Sequence, residues 1–318
     1  MAPSVLVAGA TGNTGRSVVQ TLSAMLATSD VLLNHRIIAL TRSLNSPAAQ
    51  QLATLPGVDV VEKNWVDITP AWLREHEVVR AFIAPHNKPN QFAEESTFHV
   101  AALQAGVQYV VRISTTAANV SPSSTAYYPR SHWAIESLLS SPEFTNLHWT
   151  SLQPNGFSAF FLAPAAAFIQ EYRKTGKQGT LKLLASEDAP VAVIDADEVG
   201  IFAAHLLSQP NISVHNGAKY VLNGPEDITG KQIVNLVEQY IGVPVENVSY
   251  KDMSDLDAYL EAAYMGDGQS RNVIWSIKHA PETTWEGKCT ASTTSKEVLE
   301  IAPPQSTPAQ VLQRLLQY

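Results

Sequence analysis

The chain reads as an α/β protein: a doubly wound parallel sheet with a smaller mixed C-terminal lobe. Three observations predict this. Short apolar runs alternate with helical patterns through the first half, the order that builds a parallel sheet with helices on both faces. A glycine-rich turn joins the first run directly to the first helix. After Pro154 the alternation stops, and 318 residues leave room for a second lobe.

The first strand is Val5–Ala8, apolar at every position, and its helix runs from Ser17 to about Leu33. Arg36–Thr41 is the second strand, and the helix Pro47–Leu55 is closed by Pro56-Gly57. Val58–Glu62 follows as a strand, with a short helix near Pro70–Glu75. The fourth strand is Val79–Ala84, and the helix from Asn90 to Ala105 ends at Gly106. Within it Phe92, Ser96, His99 and Leu103 are read as one stripe, with Glu94 and Glu95 off it. Gln108–Ile113, a helix over Ser131–Leu139 and Leu147–Leu152 complete the alternation.

Residues 1–153 are thus expected to form the sheet domain and residues 154–318 the lobe, with Val191–Ile194 rejoining the main sheet. Phenylalanines 157, 160, 161 and 168 stand among alanines, so 155–168 is read as an apolar wall or lid rather than a further βα unit. Beyond it come a strand at Tyr220–Leu222 and helices at Asp197–Leu207, Gly230–Ile241, Leu256–Tyr264 and Pro308–Leu316. Thr307-Pro308 is a helix start, a hydroxyl cap followed by proline at the first position.

Composition removes several function classes. With 21 basic against 29 acidic residues the net charge is −8, so the chain lacks the basic footprint of a nucleic-acid binder. The single cysteine, Cys289, makes no internal disulfide, which suits a reducing compartment. There is no charged leader before a long apolar run, and no stretch approaches the ~18 apolar residues of a membrane span. A cytoplasmic protein is expected. The histidines show no metal-ligand spacing, and neither a G-x-S-x-G elbow nor a P-loop lysine is present, so no metal site is inferred.

The turn after the first strand carries the chemistry. Gly9 permits the sharp exit, Gly12 lets backbone approach a pyrophosphate, and Gly15 permits close packing of helix on strand. The loop residues Gly9, Thr11, Gly12, Asn13, Thr14 and Gly15 would hold phosphates at the helix N-terminus, where unpaired N–H groups and the helix dipole favour anions. At the end of the second strand stands Thr41-Arg42-Ser43. Arginine there accommodates a 2′-phosphate where an acidic residue would take ribose hydroxyls, so NADP(H) is expected over NAD. Asp30 precedes the strand and is badly placed for the ribose.

Five segments together carry a family resemblance: Val-Ala-Gly-Ala-Thr-Gly-Asn-Thr-Gly, Ile-Ala-Leu-Thr-Arg, Val-Val-Arg-Ile-Ser-Thr, Trp-Thr-Ser-Leu-Gln-Pro-Asn-Gly-Phe and Val-Ile-Asp-Ala-Asp-Glu-Val-Gly. The chain resembles the NmrA-like family of atypical, Rossmann-type short-chain dehydrogenase/reductases over about residues 4–245. The resemblance implies NADP(H) in the glycine loop and a substrate cleft under the C-terminal lobe. Some members reduce ketones, enones, quinones or dyes; others bind the dinucleotide without turning it over and partner regulators. It also implies that Asp67 approaches the adenine, that Ala84, Pro85 and His86 line the pyrophosphate and nicotinamide ribose, and that Pro154 and Phe157 flank the ring.

Short-chain reductases pair a tyrosine with a lysine four residues later, whose charge lowers the tyrosine pKa, and add a serine or threonine that positions the carbonyl. Ser114 and Thr115 follow the fifth strand, and Tyr128 is followed four residues on by His132, which the resemblance also places at the lysine site. Either Tyr128 or His132 then supplies the proton, with Tyr127 a rival; the bland alternative is a helix-face histidine capped by Glu136. The leading expectation is an NADPH-dependent reductase of a small hydrophobic carbonyl, enone or quinone. The departure from lysine keeps a non-catalytic NADP(H) sensor with a regulatory protein partner open, and a non-redox isomerase on the same scaffold. Oligomeric state is not fixed by the sequence.

Overall fold

A computed structural model describes residues 2–267 and 269–317. Its elements in chain order are β1 (Ser4–Ala8), α1 (Gly15–Met25), β2 (Arg36–Thr41), α2 (Pro47–Leu52), β3 (Val58–Glu62), α3 (Pro70–Glu75), β4 (Val78–Ile83), α4 (Gln91–Ala105), β5 (Tyr109–Ile113), α5 (Tyr127–Leu139), β6 (His148–Pro154) and α6 (Ser158–Thr175). There follow β7 (Leu181–Leu183), α7 (Ala196–Leu207), β8 (Ala218–Leu222), α8 (Gly230–Ile241), β9 (Val248–Tyr250), α9 (Ser254–Asp267), α10 (Arg271–Trp275), α11 (Glu282–Trp285), α12 (Lys296–Ile301) and α13 (Pro308–Leu315).

The main sheet has seven parallel strands in the order β3-β2-β1-β4-β5-β6-β8. β1 is central and wholly buried because helices cover both faces, which is why its sequence is continuously apolar. The strand order reverses between β1 and β4, so the connections leaving their carboxyl ends diverge and open a crevice. One core lies between the sheet and α1 and α7, with Val18, Leu22 and Phe202; the other lies under α4 and α5, with Phe98, Ile135 and Leu139.

The chain after residue 154 returns to this sheet. α7 packs on α1, where Gly200 allows contact: a Cβ there would stand 2.4 Å from the Thr14 carbonyl oxygen. β8 pairs with β6 as the seventh strand, whereas Val191 and Ile194 make only isolated bridges, to Ile228 and Phe157. A separate core, with Leu162, Leu181, Ile233 and Leu312, holds together α6, α8, α13 and the two-stranded sheet of β7 and β9. Thr307 and Gln310 form the capping box that starts α13, as its sequence predicts.

Three local expectations are refined. The apolar wall expected over 155–168 lines the cleft, but as an 18-residue helix, α6, closed by left-handed Gly176. Its phenylalanines divide by helical position, Phe161 buried and Phe160 62% exposed. α5 begins at Tyr127 rather than Ser131, because Pro129 falls in the first turn, where no N–H has an intrahelical partner to lose. On α4 the inward face carries Gln91, Glu95, Phe98, His99 and Ala102, while Phe92 is 41% exposed. Among the described residues no helix is long and apolar enough to cross a membrane.

Candidate functional site

The crevice at the carboxyl ends of β1, β4, β5 and β6 widens into a cleft of about 880 Å³. Its floor begins at the glycine turn. Gly9 has φ +86°, a conformation open to glycine, and its carbonyl accepts from the Gly12 N–H across the turn at 3.0 Å. At Gly15 a Cβ would lie 2.2 Å from the Gly9 carbonyl oxygen, so only glycine lets α1 start this close to β1. Thr14 caps α1 without a side-chain hydrogen bond, and the first turn carries no acidic residue. Gly12, Asn13, Thr14 and Gly15 all line the cleft. An uncapped helix start with free approach to backbone suits a diphosphate.

The expected residues at the sheet edge lie apart from this lining. Thr41 and Ser43 exchange hydrogen bonds, Leu44 N–H donates to Glu62, and Arg42 and Asp67 are exposed at the ends of β2 and β3. Ala84 and Pro85 line the cleft, but His86 does not. Its Nδ1 accepts from the Lys88 N–H and its Nε2 faces Glu94, so the imidazole holds its own loop.

From β5 and α5 come the hydroxyls. Ser114 Oγ is buried, lines the cleft and has no hydrogen-bond partner among the described residues. Thr115 is hydrogen-bonded to the Tyr128 hydroxyl, and burial pushes the Tyr128 pKa up despite that bond. Pro154 and Phe157 complete the wall beside them. The far walls are largely apolar, from Phe160 and Pro164 of α6, Leu184, and Ile274 and Ile277 of the lobe, with Lys182, Asp252 and Asp255 also lining the cleft.

His132 sits one turn beyond Tyr128 but does not serve it as a cation. The two rings meet edge-on, 6.3 Å between centroids. Arg112 Nη2 donates to His132 Nδ1 at 2.7 Å, Gln91 Nε2 lies 3.1 Å from the same nitrogen, and His132 Nε2 lies 3.2 Å from Asn87 Oδ1. Burial first, then the Arg112 charge, lowers the His132 pKa to about 3, against a smaller opposing effect of Glu95. His132 is therefore neutral.

Behind it lies a buried ionic network. Arg112, fully buried, donates from Nε to Glu95 Oε1 at 2.6 Å and from Nη1 to Ser151 Oγ at 2.9 Å. Burial alone would raise the Glu95 pKa; the Arg112 charge and hydrogen bonds from His99 and Arg112 outweigh it and hold the carboxyl far below its ordinary range. Glu136 does not cap His132: it accepts from Ser151 and Gln153 and pairs with Lys219 at 3.2 Å. Sequence reasoning missed Asn87, Gln91, Glu95 and Arg112. Only Asn87, beside Ala84-Pro85-His86, carries a local signal; Gln91 and Glu95 lie off the stripe read on their helix, and Arg112 lies within a strand.

The model of the NmrA-like family matches residues 1–273. No curated protein sequence matches the chain. Among solved structures, an NADPH-dependent quinone oxidoreductase of Escherichia coli complexed with NADPH aligns with TM-score 0.70 and 22% identity, covering 98% of this chain and 99% of that one. Triphenylmethane reductase of Citrobacter sp., complexed with NADP(H), aligns with TM-score 0.67 and 20% identity over 98% and 100% of the chains. A double mutant of NmrA aligns with TM-score 0.62 and 15% identity over 99% and 91%. With a family model matched over most of its length and the same fold in these neighbours, the chain belongs to the NmrA-like family.

Proposed function

We propose that the chain binds NADP(H) in this cleft and reduces a hydrophobic carbonyl, enone or quinone. The observation that carries the reading is convergence: the uncapped glycine turn, the unpartnered Ser114 hydroxyl and the Thr115–Tyr128 pair all face one cavity. The backbone amides of Asn13, Thr14 and Gly15 would hold the diphosphate, and Arg42, exposed at the end of β2, would take the 2′-phosphate. When bound, the dinucleotide supplies hydride. Ser114 orients the acceptor oxygen, Tyr128 donates its proton to that oxygen, and the apolar walls exclude water. Since His132 lends no positive charge, Tyr128 stays a weak acid. That suffices for a quinone, whose reduced oxygen is a stabilised phenolate that forms without a strong acid, whereas forming the alkoxide of a simple ketone calls for stronger acid assistance.

NADPH oxidation against a panel of quinones and enones tests this. Tyr128→Phe is expected to cut kcat roughly 10²-fold while dinucleotide affinity by calorimetry stays within about 3-fold. An unchanged kcat rejects Tyr128 as the donor. Arg42→Ala separates the dinucleotides: NADPH is expected to weaken by about 10- to 100-fold, the value of a charge-assisted hydrogen bond, with NADH unaffected. Equal weakening of both rejects the phosphate role.

One observation favours a second reading, a sensor without turnover: a neutral, fully committed His132 stands where a reductase carries lysine. Its signature is NADPH binding with no acceptor-dependent oxidation, together with a partner protein whose affinity differs between NADP⁺ and NADPH.

A further inference from the structure

We propose that Asn87 is a further uncharged hydrogen-bond donor of the cleft, aimed by Arg112 through His132 at an acceptor oxygen of whatever binds there. The inference rests on the dinucleotide reading above. Its logic is a chain of forced polarities. An arginine guanidinium only donates, so His132 Nδ1, at 2.7 Å from Arg112 Nη2, must accept. A neutral imidazole with an accepting Nδ1 carries its proton on Nε2, and the partner of that N–H is Asn87 Oδ1 at 3.2 Å. With its oxygen turned to His132, the Asn87 carboxamide has its NH₂ left to offer, and the residue is exposed on the cleft wall beside Pro85 and Tyr128. Arg112 and His132 are positioning residues; Asn87 is the group that meets the ligand.

The device replaces a charged lysine by a neutral amide whose orientation is set from the protein interior. Its strength should not vary across neutral pH, because burial and Arg112 keep His132 from taking a proton, against the opposing pull of Glu95. The loop survives changes at the Asn87 side chain. Tyr127 Oη donates to the Asn87 backbone carbonyl, and His86 ties the loop to Glu94.

The acceptor oxygen belongs either to a ribose hydroxyl of the dinucleotide or to the reducible substrate, and two variants distinguish them. Asn87→Ala deletes the donor. Asn87→Asp keeps an acceptor for His132 but offers no donor until its carboxyl protonates, near the ordinary pKa of ~3.9. The charged and titratable groups around position 87 are Lys88, the His86–Glu94 pair, Tyr127 and His132, with Arg112 and Glu95 behind them.

Calorimetry with NADP⁺ between pH 4.5 and 7.5 is the first readout. With the oxygen on the dinucleotide, both variants bind roughly 10-fold more weakly at pH 7.5, and only Asn87→Asp recovers as pH falls. With the oxygen on the substrate, NADP⁺ binds normally and the KM of a test quinone rises instead, again with acid recovery in Asn87→Asp alone. Wild-type affinity and kinetics in both variants overturn the proposal. A wild type that binds no dinucleotide removes the reading beneath it as well, so the two failures are distinct. ¹⁵N NMR of His132 checks the aiming step: a single neutral tautomer protonated at Nε2 is expected from pH 5 to 8. A proton on Nδ1, or titration near pH 6.5, overturns the relay.

Discussion

Arg112→Met is expected to lower the free energy of unfolding by about 3–5 kcal/mol at pH 7, measured by urea denaturation, because it leaves the partner charge buried without a counter-ion. Glu95 has no exposed surface, and among the described residues its contacts are Arg112, His99 and Gln91, two of which are uncharged donors. Ser151 and His132 Nδ1 lose a donor at the same time. The double variant Arg112→Met with Glu95→Gln is expected to recover much of the loss, since it removes the stranded charge; additive losses would refute a Glu95 origin. The pH dependence has a definite sign. In the wild type the folded Glu95 pKa is depressed, so its contribution is present above the ordinary carboxylate range and is lost only as pH falls towards the folded value. Without Arg112, burial dominates and Glu95 favours its proton, so the gap between variant and wild type narrows from pH 7 to pH 5. His132 acts in the same direction: its folded pKa of about 3 makes the wild type lose stability below ~6.5, where the unfolded imidazole takes a proton and the native one does not. Removing Arg112 relieves part of that depression. A gap that is constant or widens with acid would contradict this network.

That network also marks where sequence reasoning stops. The strands were legible because parallel strands covered on both faces are continuously apolar, as Val5 to Ala8 shows, and the glycine turn because its three positions each have a backbone reason. Periodicity on α4 failed for the opposite reason. It ranks positions by polarity, so it sent Glu95 outward and drew Phe92 in, whereas a carboxylate with a buried arginine opposite is an interior residue. That partner lies 17 positions away on β5, and no local pattern pairs them. The start of α5 was hidden by Tyr-Tyr-Pro, which reads as loop until the helix's tolerance of proline in its first turn is applied. The apolar wall over 155–168 is legible, but its helical form is not, because alanine, phenylalanine and Pro164 conceal a helix with one buried and one open face. Consequently Tyr128 and His132 were found as a spaced pair, but their relation was not: His132 belongs to Arg112 and Asn87, and Tyr128 to Thr115.

Gly15→Ala is expected to abolish measurable NADPH binding, a loss of at least ~100-fold, or about 2.7 kcal/mol. The added methyl would stand 2.2 Å from the Gly9 oxygen, 2.7 Å from its carbonyl carbon and 3.0 Å from Ala10 Cα. All three atoms are backbone, so no side chain can rotate away. Nor can α1 retreat. On its other side Gly200 of α7 already meets Thr14 and Ser17 with no room for a Cβ, and the Ser17 hydroxyl is bonded to the Asp197 carbonyl. The strain therefore falls on the turn between Gly9 and Gly12, which sets the position of the following amides assigned to the diphosphate. Overpacking of this kind costs roughly 1–3 kcal/mol of stability, which a domain of this size survives, so the variant should fold and fail to bind. Gly106→Ala is the matched control. Its φ of +81° makes alanine strained there too, but nothing lies within 4 Å of the new methyl and the site is far from the turn, so stability should fall by about 1 kcal/mol with affinity unchanged. Calorimetric titration beside urea denaturation separates the two effects. NADPH affinity of Gly15→Ala within about 3-fold of wild type would show that the diphosphate is held elsewhere.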